Sequence, residues 1–176
     1  MNSLRNTVIL AAGMLMTEAA LGEVKLAAPD ALVVEHRFEV AATPEEAWEV
    51  LVHPERYWPK EHTWSGDPTN LSLVAHAEGC FCERWTDASA EHGRVIMAMP
   101  GRLLRFRGAL GPLQEMAVTG VMTIRLEPKD GGTEAVVTYR VAGVPSQKLG
   151  DMAPGVDPVI RQQFAGFAAL ASRPAR

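Results

Sequence analysis

The sequence predicts an α+β domain built on one curved antiparallel sheet, and three observations carry that reading. An alternating strand runs straight into a proline-started helix within residues 33–51, VVEHRFEVAATPEEAWEVL. A second cap-plus-proline signal opens an amphipathic helix that closes the chain, and alternating segments with turn signals fill the interval between the two.

On the first strand, 32–40, Val34, His36, Phe38 and Val40 share one face at period two, while Glu35, Arg37 and Glu39 share the other. A strand with one buried side has this pattern. Thr43 reads as the N-cap of a helix over 44–53. Pro44 suits its first position, where a missing N–H loses no partner, and Glu46 completes a capping box with Thr43. His53-Pro54 ends that helix, and a short helical or irregular segment follows through Tyr57 and Trp58 to Gly66. Strands are expected near 71–77, 80–86, 93–99, 102–108, 117–127 and 133–142, with Asp130-Gly131-Gly132 turning the last two as a hairpin. Residues 143–156 carry three glycines and two prolines, Gly143, Gly150, Gly155, Pro145 and Pro154, and read as a mobile loop. Asp157 then caps a helix over 157–172, with Pro158 at its first position. Val156, Ile160, Phe164, Phe167 and Leu170 recur along it at spacings of three and four.

Over roughly residues 32–172 the chain resembles the SRPBCC superfamily, the START-like or helix-grip proteins, in its polyketide cyclase/dehydratase-like branch. The resemblance rests on VEHRFEVAATPEEAWEVLVHPERYWP, on GCFCERW and GRVIMAMPGRLLRFRGALGPLQ, and on GVMTIRLEPKDGGTEAVVTYRVAG. It implies a curved sheet gripping the long C-terminal helix, short helices after the first strand, and a central apolar cavity used for lipids, aromatic compounds or, in some members, catalysis. It also implies that the loop before the last helix borders the cavity mouth.

Composition narrows the function classes. The 176 residues, 47% hydrophobic and 22% charged, suit a single domain with a real core. A net charge of −4 and a pI near 5.7 argue against a nucleic-acid partner. Arg105 and Arg107 alternate with Leu104 and Phe106, so the arginine cluster reads as a solvated outer face. Residues 1–22 follow the logic of a cleavable export signal: Arg5, an apolar run over 8–16, and Ala20-Leu21-Gly22 before Glu23. The run is shorter than a bilayer span, so no permanent membrane anchor is expected, and the localisation reading is periplasmic or secreted. Residues 23–31 read as a linker and 173–176 as a tail.

Candidate ligand-binding residues follow from the cavity expectation. Trp58, His62 and Trp64 with Trp85 offer amphipathic rings that could gate a pocket. Met97 and Met99 share a face with Val95 on the 93–99 strand, and Met122, with Phe106 on the neighbouring strand, faces the same interior; thioethers adapt to irregular ligands. Phe164 and Phe167 line the apolar side of the last helix, where the resemblance sets them against both core and ligand. His36 faces inward by periodicity.

Cys80-Phe81-Cys82 is the sharpest local chemistry. On the 80–86 strand one face holds both thiols with Arg84 and the other holds Phe81, Glu83 and Trp85, and alternation alone does not choose the inner one. Arg84 inside would hold a ligand carboxylate; Glu83 inside would act as an acid or base. An extended strand separates i and i+2 Cα atoms by about the ~7 Å bridging limit, so two reduced, buried thiols are expected. No second ligand pair stands at zinc-like spacing, so neither a metal nor another cofactor is expected. The reading that results is an exported protein binding a small hydrophobic ligand. Its alternatives are a cyclase/dehydratase-type enzyme using Glu83 and a histidine, where His36, His62, His76 and His92 could each meet Glu83 in space and His76 is the named candidate, and a protein-interaction module resembling chaperone activators.

Overall fold

The computed structural model describes residues 23–173, so the expected signal over 1–22 lies outside the described residues. Eight strands form one antiparallel sheet: β1 (Glu23–Ala28), β2 (Ala31–Val40), β3 (Leu71–Leu73), β4 (Cys80–Trp85), β5 (Ala88–Met99), β6 (Leu103–Arg107), β7 (Thr119–Lys129) and β8 (Gly132–Ala142). Their order is β1-β2-β8-β7-β6-β5-β4-β3, with helix α1 (Pro44–Leu51) after β2 and helix α2 (Leu149–Ala171) packed chiefly on β1, β2 and β8. This is an α+β helix-grip arrangement.

The local signals at the front hold in detail. The Thr43 Oγ1 accepts from the Glu46 N–H at 3.3 Å and the Glu46 carboxylate accepts from the Thr43 N–H at 2.9 Å, closing the capping box. Val34, His36, Phe38 and Val40 are all buried on β2, opposite Tyr139, Val137, Ala135 and Thr133 of β8. Lys129 pairs with Gly132, so Asp130-Gly131 is a two-residue hairpin turn, and Gly131 takes the positive φ of 83° that such a turn requires.

Three elements depart from the expectations. Residues 23–28 are not a linker but strand β1, whose register against β2 slips between Val24 and Leu26. Its side chains are almost all exposed, so it has no buried face to produce alternation. The final helix starts eight residues before Asp157: Leu149 N–H bonds Pro29 O at 2.9 Å, Leu149 and Ala153 are buried, and Pro154 and Pro158 lie inside the helix. An interior proline removes an N–H and costs about 3 kcal/mol relative to alanine. Here burial of the helix's first turns against the β1–β2 corner offsets that penalty, so the Asp157-Pro158 signal does not mark a start.

Strand β5 carries the third departure. Its register slips twice, because Phe81 pairs with Gly93 but Cys82 with Glu91, and Val95 pairs with Phe106 but Met97 with Arg105. His92 and Ile96 therefore have no residue opposite, and each is a bulge that bends the strand and re-aims its side chains. Beyond Ile96 the parity is reversed. Ala98 takes the inward position, while Met97 and Met99 are 42% and 36% exposed on the outer face.

Candidate functional site

Between the N-terminal half of α2 and the sheet lies a cavity of about 500 Å³. One wall is α2, through Met152, Val156, Val159, Ile160 and Gln163; the 58–64 segment supplies Trp58, His62 and Trp64; the turn over 110–113 supplies Leu110 and Leu113; and the sheet supplies His92 and Tyr139. Glu61, Trp64, Pro112, Asp151 and Gly155 belong to the lining and are exposed, so the cavity opens to solvent beside them. Such a volume and an apolar wall with a few placed polar groups suit a small molecule.

The polar groups come from identifiable local causes. Phe81 and Glu83 share the inner face of β4, so Glu83, not Arg84, enters the interior, and it is fully buried. Its carboxylate accepts from the Trp64 N–H at 3.0 Å, the Ser65 N–H at 2.6 Å and the His92 Nε2 at 2.9 Å. Burial pushes this carboxyl up, but the hydrogen bonds from Ser65, Trp64 and His92 outweigh it and hold the group below its ordinary range. The bulge turns His92 to the same interior. Gly93 beside it makes the crowding possible, since a Cβ there would stand 2.6 Å from the Phe106 ring.

Tyr139 lies at the cavity floor with its hydrogen bonds complete: its hydroxyl donates to Gly108 O at 3.1 Å and accepts from Leu110 N–H at 2.9 Å. Burial, opposed by the Leu110 contact, leaves the phenol pushed up to about 12. Two polar atoms of the lining residues are unsatisfied. His62 Nδ1 and Gln163 Oε1 are closed off from water with no partner among the described residues, though both side chains line the cavity.

Trp58, His62 and Trp64 are thus placed at the cavity, and of the four histidines that could meet Glu83 it is His92 that joins them beside it. The other expected contacts fall elsewhere. His76 is exposed and bonded to Ala77 O, away from Glu83. Trp85 is half-buried at the end of β4 and is not part of the lining, and the second bulge has moved Met97 and Met99 outward. Phe106, Met122, Phe164 and Phe167 are buried in filled core: Phe167 packs edge-on against Tyr57, Phe164 against Trp58, and Phe106 against Phe81. The void beside Phe106 and Phe164 measures about 10 Å³, at the lower limit for one water. The cavity therefore lies along the N-terminal half of α2 rather than beneath its phenylalanines. His36 is buried with Nε2 3.1 Å from both the backbone oxygen and Oδ1 of Asp157. Burial lowers its pKa despite the raising effect of Asp157.

Cys80 and Cys82 form a disulfide, which corrects the expectation of free thiols. Their Cα atoms lie 5.4 Å apart, inside the bridging range, so β4 is less extended here than a regular strand.

A family model described as polyketide cyclase / dehydrase and lipid transport matches residues 31–172. Among curated proteins none matches the chain. The solved structures it is similar to include protein CV1439 from Chromobacterium violaceum, at 15% identity and TM-score 0.57, covering 81% of this chain and 98% of that one. A protein from Rhodobacter sphaeroides is 21% identical with TM-score 0.57, covering 85% and 97%. The di-domain ARO/CYC StfQ of the steffimycin biosynthetic pathway is 11% identical with TM-score 0.55, covering 81% of this chain and 51% of that one. At these identities the likeness is one of fold.

Proposed function

Since the chain belongs to the polyketide cyclase/dehydrase and lipid transport family, we propose that it binds a small, largely apolar molecule, lipid, aromatic or polyketide-like, in the cavity along α2. One observation carries this reading: a 500 Å³ space walled by Leu110, Leu113, Val156, Val159 and Ile160, with His62 and Gln163 each holding an unsatisfied polar atom beside it. Export belongs to the same proposal. It is supported by the order of Arg5, the apolar run and Ala20-Leu21-Gly22, and by a disulfide, which persists in oxidising compartments. No helix of the described residues is long and apolar enough to cross a membrane.

A second reading is favoured by the His92–Glu83 pair. A histidine held by a buried carboxylate at a cavity wall is arranged for proton transfer, as a cyclase/dehydratase-type reaction would need. One experiment separates the two. The neutral dye N-phenylnaphthylamine should bind the wild type and lose most of its affinity in Val159→Trp, whose indole projects from α2 into the cavity and narrows it, and native mass spectra should show a natural ligand retained unchanged. A converted ligand selects the enzyme. Dye binding that survives Val159→Trp in a folded protein overturns the cavity assignment.

A further inference from the structure

We infer that the cavity selects a neutral apolar ligand bearing a hydrogen-bond-donating hydroxyl, a phenol or alcohol, and rejects carboxylates and phosphates. This deepens the proposed binding function and rests on it. Glu83 sets the direction of the hydrogen bonding. An ionised carboxylate only accepts, and Glu83 accepts from two backbone N–H groups, so the His92 nitrogen 2.9 Å away must carry its proton on Nε2. In the neutral ring Nδ1 is then the acceptor. His92 lines the cavity, and what its Nδ1 takes from a ligand is an O–H or N–H donor.

Gln163 offers a second acceptor once its amide turns toward the space. It is 4% exposed and lines the same cavity, and its Oε1, shut off from water, has no partner among the described residues to hold it in place. An acceptor buried in this way carries a desolvation penalty that a ligand donor removes. Tyr139 does not compete for the hydroxyl, because its own is engaged by Gly108 and Leu110.

Charge completes the case. Among the described residues that line the cavity none is Lys or Arg, and the two acids, Glu61 and Asp151, are exposed at its mouth. An entering carboxylate or phosphate would pass two like charges and shed its hydration with no cation to meet it. A cation is attracted at the mouth, but it must exchange its water for a wall of Leu113, Val156 and Ile160, where isolated charge is heavily penalised. A hydroxyl gives the donor that His92 and Gln163 lack at a far smaller desolvation cost.

Three probes with one ring system test this: naphthalene, β-naphthol and β-naphthoate, titrated calorimetrically into the full chain at about pH 8. The naphthol should bind roughly 2- to 10-fold more tightly than naphthalene, the range of one net hydrogen bond. The naphthoate should bind about 10-fold more weakly than naphthalene or worse. In His92→Phe, where Glu83 keeps its two backbone donors, the naphthol-to-naphthalene affinity ratio should fall toward one. If that variant does not fold, the wild-type order still decides. A naphthoate that binds as tightly as the naphthol overturns the inference and leaves the binding function intact, as does a naphthol no better than naphthalene. If no probe binds, the binding function itself fails.

Discussion

Replacing Phe167 by alanine should cost about 4 kcal/mol, and the estimate follows from where the ring sits. Phe167 has no exposed surface, packs edge-on against Tyr57 with centroids 5.8 Å apart, and is absent from the cavity lining. Losing the burial of a whole phenyl side chain removes about 2 kcal/mol of transfer free energy. The surrounding core cannot collapse fully, and a hole of roughly 100 Å³ at about 24 cal/mol per Å³ adds a further ~2 kcal/mol. For a domain of this size that lowers Tm by roughly 10 °C. Urea unfolding should show the midpoint falling at unchanged slope, while dye affinity in the cavity stays within a few-fold. Val159→Ala, on the cavity wall, should cost less than about 1 kcal/mol, because part of that side chain faces space and has few contacts to lose. A Phe167→Ala loss below about 2 kcal/mol, or one matched by Val159→Ala, would refute the division between filled core and open wall.

Glu83 makes stability depend on acid. Its folded carboxyl titrates below its unfolded counterpart, so its contribution is complete above about pH 5 and is lost as pH falls through the lower folded value. Glu83→Gln should cost about 2 kcal/mol at neutral pH and flatten the acid limb of the stability curve, measured by urea unfolding at stepped pH; an unchanged slope would remove Glu83 as its cause. The mature protein should be recovered outside the cytoplasm and begin at Glu23 on N-terminal sequencing, and an intact Met1 in a cytoplasmic fraction would end the export proposal.

How much of this could be read in advance depended on whether alternation survived. On β2 and β8 it does, and every inward residue expected there is buried. On β5 it fails twice, so the period that puts Val95 inward before the second bulge leaves Met97 and Met99 on the outer face after it. That Glu83 pairs with His92, and not with His36, His62 or His76, is harder to read, because Ala88-Ser89-Ala90-Glu91 lacks an apolar rhythm and the expected strand begins only at residue 93. A signal was present. Counting back in regular register across a two-residue turn at Thr86-Asp87 puts His92 opposite Phe81, on the face of Glu83, and the bulge that moves Phe81 onto Gly93 leaves His92 on that face. The early start of α2 left no such signal: Lys148 precedes it with a positive φ of 51° and no capping side chain, and what holds the first turns is tertiary burial. Trp58, His62 and Trp64 are legible as lining because amphipathic rings on an irregular segment can border a pocket, although Trp58 also packs into the core against Phe81 and Phe164. The inner face of β4 could not be chosen from the sequence, since either choice buries a charge, and only the two backbone amides after Thr63 decide it.

The slipped register of β1 bears on how the molecule avoids its own copies. An open sheet has two borders where unpaired backbone groups invite another strand, and the longer of the two here is β1. The irregularity between Val24 and Leu26 falls on Lys25, so the border is kinked at its midpoint and carries an exposed ammonium there. The opposite border, β3, has only three residues. Neither offers the long, flat, uncharged ladder that end-to-end sheet stacking needs, and the protein can keep an open, apolar-walled sheet without propagating it into fibres.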